Sequence, residues 1–146
     1  MPPAELLYSQ THLWISCEDD IVTVGVTEYS LDQYGDVVAV ELVEPGIDLN
    51  HGESMGELEC RRGVWELFAP LDGEVVELNK AVVQQPDHIN DDPYGEGWLV
   101  RLELRDPQQL EHLLTAEEYE TLITEPPELE TEEEEEEEDE FNILWS

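Results

Sequence analysis

The chain has 146 residues and a formal net charge of −34, with 39 acidic residues against five Lys and Arg. A surface this acidic repels phosphate backbones, so the composition argues against nucleic-acid binding and favours partners with a basic surface. Two cysteines, Cys17 and Cys60, are too few for a disulfide framework. The N-terminus resembles neither a signal nor a transit peptide, and no segment is apolar for long enough to cross a membrane. The sequence therefore predicts a cytoplasmic protein.

The acidic residues divide the chain into two parts. Residues 125–146 contain twelve acids and no base, which leaves −22 on residues 1–124. The first part is long enough for one packed domain, and the second is predicted to be a disordered acidic tail. This tail ends in an apolar group that is typical of a segment binding a hydrophobic groove, with a solvated solubility tail as the alternative. The group consists of Phe141, Ile143, Leu144 and Trp145.

The first hundred residues are mainly strand and turn patterns. "HLWISC" and "IVTVGV" predict a hairpin, and "TEYSLDQYG" predicts a short helix that Thr27 caps and Gly35 ends. Further strands are predicted at "DVVAVEL", "MGELEC", "GVWELF", "GEVVELN" and "GWLVRLEL". Among these, Leu58, Val64 and Leu67 are predicted to face the interior. Alternation alone favours a small, mostly β sandwich or barrel.

Two helices are predicted after the last strand. Asp106 is a good N-cap and precedes a proline, while Thr115 and Glu118 match a capping box. Pro126 and Pro127 should end the second helix.

Three segments resemble the glycine cleavage system H protein family: the stretch from Thr11 to Gly46, "GELECRRGVWELFAPLDGEVVELN", and "NDDPYGEGWLVRLEL". The resemblance runs from Tyr8 to about Ile123. It implies a barrel-sandwich hybrid of the lipoyl/biotinyl type, with short flanking helices. It also implies a carrier rather than an enzyme, in which a lysine at a hairpin tip is amidated by lipoate. The lipoyl arm then shuttles an aminomethyl group and electrons between three enzymes during glycine decarboxylation.

The resemblance places Arg62 at the lipoyl-attachment position. A guanidinium stays protonated and is a poor nucleophile, so we expect no lipoylation there. Lys80 is the only lysine, and it lies outside the carrier hairpin of the family pattern. The family usually has His-Glu-Trp near the N-terminus, where the glutamate helps to hold the loaded arm. Here that glutamate is replaced by Leu13.

These departures favour a non-enzymatic H-like protein that has no cofactor and acts through protein contacts, for example with glycine cleavage components or a lipoate ligase. Arg61, Arg62 and Gly63 would then form a basic tip suited to a carboxylate or phosphate, unless they are merely solvated turn residues. The tail is a second candidate to bind this tip, by folding back onto Arg61 and Arg62 within the same molecule.

Two other hypotheses stay open. A functional carrier would need its lipoyl group on Arg62, on Lys80 or on another arm. A reactive Cys60 thiol, activated by the neighbouring guanidiniums, competes with a buried structural cysteine. The four histidines, His12, His51, His88 and His112, match no catalytic or metal-binding motif, so no metal is predicted.

Overall fold

The computed structural model describes residues 5–124, which are mostly β-structure with short helices. The strands are β1 (Leu7–Tyr8), β2 (Leu13–Glu18), β3 (Ile21–Val26), β4 (Val37–Leu42), β5 (Asp48–Leu49), β6 (Ser54–Cys60), β7 (Gly63–Phe68), β8 (Gly73–Leu78) and β9 (Val100–Leu104). The helices are α1 (Glu28–Tyr34), α2 (Lys80–Gln84), α3 (Asp87–Asp91), a 3-10 helix (Pro107–His112) and α4 (Ala116–Thr124). The predicted acidic tail and its motif, Phe141, Ile143, Leu144 and Trp145, lie outside the described residues.

The strands form two sheets. A six-stranded sheet has the order β1-β2-β3-β9-β8-β5, and a three-stranded sheet has the order β4-β6-β7. Both sheets contribute to one main core, which includes Val24 and Leu102 from the larger sheet and Leu58 and Leu67 from the smaller one. Short helices pack at the sheet margins, as the sequence predicts.

A second, aromatic cluster joins α4 to the larger sheet. Tyr8, Trp14 and Tyr119 are buried in it, and the Tyr8 and Tyr119 rings stack with centroids 4.7 Å apart. The Trp14 indole N–H donates to the Pro93 carbonyl oxygen at 2.8 Å. Gly25 leaves room for this ring, because a Cβ there would lie 2.5 Å from it.

Most of the predicted local structure is confirmed. Strands β2 and β3 form the expected hairpin, and the Thr27 hydroxyl caps α1 by accepting from the Ser30 amide. Thr115 and Glu118 exchange both hydrogen bonds of the capping box, at 2.9 and 3.2 Å. Asp106 caps its segment as predicted, but the helix that follows is of the 3-10 type.

The prediction that Val64 faces the interior is wrong. Its side chain is 59% exposed, whereas Trp65 and Leu67 are buried. Side chains alternate between the two faces of a strand, so Val64 and Leu67, three residues apart, cannot share a face. Trp65 lies opposite Leu58 and fills the inner position instead.

Two short helices were not predicted, and asparagines organise both. The Asn79 side chain caps α2 and also donates to the carbonyl oxygens of Glu96 and Trp98. From α3, the Asn90 amide group pairs with both backbone groups of Val37 on β4. Within residues 5–124, no helix has both the length and the apolar character needed to span a membrane.

Candidate functional site

The β6–β7 hairpin carries the candidate site at its tip. Cys60 pairs with Gly63, so Arg61 and Arg62 form a two-residue turn between the strands. Gly63 has φ +149°, a conformation that side-chain-bearing residues rarely adopt. The hairpin predicted from the sequence is present, with Arg61 and Arg62 in its turn and Gly63 as the first residue of β7.

Backbone hydrogen bonds dock this tip on the end of α1. The Arg61 amide donates to the Asp36 carbonyl oxygen at 3.0 Å, and the Arg62 amide donates to the Tyr34 carbonyl oxygen at 2.9 Å. Below them, the Tyr34 and Trp65 rings stack with centroids 5.1 Å apart. The tip is thus held by backbone hydrogen bonds to the end of α1 and by the stacking of Trp65 on Tyr34.

The Arg62 side chain continues this attachment. Its Nη1 donates to the Asp32 carbonyl oxygen at 2.6 Å and lies 3.4 Å from that of Gln33. Both carbonyls belong to the last turn of α1, where the helix dipole favours a positive charge. Helix α1 has no basic residue in its own last turn, so Arg62 supplies that charge from another element.

Arg61 is the more available of the two guanidiniums. Its side chain is 71% exposed, and its nearest ionic partner is Asp36, with the Nε to Oδ2 distance at 3.8 Å. An exposed pair at this separation contributes little to stability. Of the predicted tip contacts, Arg61 is thus free to meet a partner, whereas Arg62 already binds α1.

Cys60 lies on the inner face, 6% exposed. Burial raises the pKa of its thiol, so the thiolate is disfavoured despite the neighbouring arginines. This environment favours the structural cysteine among the two alternatives left open by the sequence.

The other positions that bear on lipoylation lie on elements other than the β6–β7 hairpin. Lys80 is exposed at the first position of α2, after β8. Leu13 is 1% exposed and lies opposite Val26 in the β2–β3 hairpin. Among the described residues, no group of three potential ligands is arranged to hold a metal ion.

A polar network around His12 was missed at the sequence level. The His12 Nδ1 lies 2.9 Å from the Tyr119 hydroxyl, which is 2.8 Å from the Thr27 hydroxyl. Burial lowers the pKa of His12 and raises that of Tyr119 to about 12. The network ties α4 to the start of α1, but the 107 residues between His12 and Tyr119 left no local sequence signal.

Known proteins resemble this chain over nearly all of its described length. The family model for the glycine cleavage H-protein matches residues 6–126. A glycine cleavage system H protein from a Synechococcus species is 46% identical over 121 residues, covering 83% of this chain and 94% of the relative. One from Staphylococcus epidermidis is 42% identical over 123 residues, covering 84% and 98%.

A solved structure agrees with these sequence relatives. The crystal structure of a glycine cleavage system H protein from Mycobacterium marinum superimposes with a TM-score of 0.72 at 38% identity. The alignment covers 81% of this chain and 95% of that one. The two-sheet architecture with short helices fits the expected barrel-sandwich hybrid. The chain belongs to the glycine cleavage H-protein family.

Proposed function

We propose that this protein is a non-lipoylated member of the H-protein family that acts through protein–protein contacts. The observation that carries the proposal is the residue at the hairpin tip, where the family resemblance places the lipoyl lysine. Arg62 stands there, and its guanidinium is held on the carbonyl oxygens of α1.

Lipoylation requires a neutral amine that attacks an activated acyl group. The Arg62 side chain ends in a guanidinium whose nitrogens share a delocalised positive charge, so it offers no such nucleophile. Lys80, the only lysine in the chain, is on α2 rather than on the hairpin. Leu13 adds to the argument, because a buried leucine replaces the glutamate that the resemblance assigns to the loaded arm.

The partners of this function are other proteins, with glycine cleavage components and lipoate ligases as the first candidates. The strongly acidic chain favours a basic partner surface, and electrostatic steering would accelerate association at low salt. The protein itself carries out no catalysis in this proposal.

Functional carriage of an aminomethyl group is the second candidate function. It is favoured by the 46% identity to a protein named as a glycine cleavage system H protein, over 94% of that protein. Carriage would need a lipoyl group on a residue other than the tip arginines.

The intact mass of the protein from its own cells distinguishes the two functions. We expect the unmodified mass for the natural protein. An Arg62→Lys variant, incubated with lipoate ligase, ATP and lipoate, should gain one lipoyl group, because the tip then offers an amine. Arg61→Lys is the matched control at the neighbouring turn position and should gain none.

A lipoyl group on the natural protein would overturn the proposal and restore the carrier. Modification of Arg61→Lys with no change in Arg62→Lys would instead contradict the placement of the attachment position.

A further inference from the structure

A cleft between α1, α3 and α4 lies beside the docked tip. Its volume is about 460 Å³, within the usual range of ligand sites. Glu28, Asp32 and Asp36 line it on the α1 side, and Asp91 lines it from α3. Asp32 and Asp36 also provide the carbonyl oxygens that hold the hairpin tip.

Aromatic rings form other parts of the cleft wall. Tyr29 and Tyr94 line it with partly exposed rings, whereas Tyr119 borders it fully buried, and hydrogen bonds fix Tyr94 and Tyr119. The Tyr94 hydroxyl accepts from the Glu28 amide at 3.1 Å, and the Tyr119 hydroxyl belongs to the His12 network. Rings that are held in place before binding need little ordering when a ligand arrives.

The carboxylates of the cleft are poorly compensated within the described part of the chain. Only Asp36 has an ionic partner there, the Arg61 guanidinium, whose Nε lies 3.8 Å from the Asp36 Oδ2. Glu28 and Asp32 lie four residues apart on one helix face, where like charges destabilise a helix. Asp32 also places a negative charge in the last turn of α1, against the helix dipole. Arg62 supplies a positive charge to the carbonyl oxygens at this end of α1, but within residues 5–124 no ion pair joins a cation to the Asp32 carboxylate. A cation in the cleft would provide that partner.

We infer that this cleft binds an arginine side chain of a basic partner protein. Carboxylates pair with a guanidinium through directed hydrogen bonds, and tyrosine faces attract its charge. Leu31, Pro93 and Ile123 give the cleft an apolar portion that can contact the aliphatic stem. Arginine fits better than lysine because its planar head both stacks on rings and bridges two carboxylates.

The inference rests on the proposed function only in taking the ligand from a protein partner. The mass measurement tests lipoylation alone, so either result leaves the cleft to be tested separately.

The test is an NMR titration of the full chain with the peptide acetyl-Gly-Arg-Gly-amide. We expect amide shifts in α1, in residues 90–94 and in α4, with a dissociation constant on the order of 1 mM. The same peptide with citrulline, a neutral analogue of arginine, should cause no comparable shifts, and the lysine peptide should bind more weakly. Free agmatine carries the same guanidinium without a peptide backbone, and it is titrated as the small-molecule comparison.

Three variants locate the binding. Glu28→Gln with Asp32→Asn should weaken the arginine peptide about tenfold, because two carboxylates are lost. Glu57→Gln with Asp20→Asn removes the same charges elsewhere and should change affinity less than about twofold. Tyr29→Leu keeps the charge but removes one ring, and it should reduce the preference for arginine over lysine.

Four results would overturn the inference. They are the absence of shifts at a peptide concentration ten times the expected dissociation constant, equal affinity for the citrulline peptide, an equal loss of affinity in the control variant, and tighter binding of the lysine peptide. Binding of agmatine at least tenfold tighter than the peptide would overturn the protein source of the ligand.

Discussion

Arg62 and Asp32, thirty residues apart, are joined by a 2.6 Å hydrogen bond from the guanidinium to the helix carbonyl oxygen. This bond makes Arg62 the basic group at the end of α1 and fixes the tip of the β6–β7 hairpin. The same residue that removes a nucleophilic amine from the tip therefore also contributes to the fold.

Arg62→Ala should lower the free energy of unfolding by about 1 kcal/mol, because an exposed charge-assisted bond to a helix end is lost. Chemical denaturation at low and high salt measures this change, which should shrink as salt screens the charge. Arg61→Ala is the control, since its side chain is 71% exposed and distant from Asp36, and it should change stability far less. Equal losses of unfolding free energy in both variants would contradict the role of the Arg62 side chain at the end of α1.

Local chemistry explains what could be predicted from the sequence. Thr27 and Gly35 bound α1, and Thr115 and Glu118 form a capping box, because each interaction spans only a few residues. Strand patterns located the strands of the smaller sheet, but Val64 was assigned to the same face as Leu67, although residues three apart in a strand lie on opposite faces.

The candidate site needed contacts between distant segments. Arg62 was recognised as an unusual tip residue from the resemblance, but its bond to Asp32 depends on packing of the hairpin against α1. The cleft beside it likewise combines α1, α3 and α4, and α3 left no clear pattern in the sequence. Asn90 positions α3 through a contact with Val37, 53 residues away in sequence.

Gly25→Ala should destabilise the protein by about 2 kcal/mol or more, as expected for overpacking a core site. The added Cβ would lie 2.5 Å from the Trp14 ring, whose indole N–H is held by Pro93. Thermal unfolding should show a lower midpoint, and the tryptophan fluorescence of the protein should shift as the Trp14 ring moves. An unchanged midpoint would mean that the Trp14 ring has another position available.

Stability should fall in acid through His12. Burial lowers the pKa of His12 from its ordinary 6.5, so the unfolded chain binds a proton more readily than the folded one. The contribution is fully present above about pH 6.5 and is lost as pH falls from there towards the folded pKa.

A comparison with His12→Gln isolates this contribution from the many carboxylates. The difference in unfolding free energy between wild type and variant, measured from pH 8 to about pH 5, should diminish as the solution becomes more acidic. Tyr119→Phe keeps the ring stack on Tyr8 but removes the hydroxyl partner of His12, so it should shift the pH at which the change occurs. A difference that is constant with pH would contradict the role of His12.

Glu57→Gln should stabilise the protein. Glu57 lies directly opposite Glu41 on one neighbouring strand and Glu66 on the other, so three exposed carboxylates form a row across the smaller sheet. Like charges that face each other across strands are destabilising, and removal of the central one should raise the free energy of unfolding by about 1 kcal/mol at low salt.

Glu18→Gln is the matched control, because its cross-strand partner is Ile21. Urea denaturation should show a larger gain for Glu57→Gln, and this excess should decrease with salt. Equal gains in the two variants would attribute the effect to overall net charge rather than to the row.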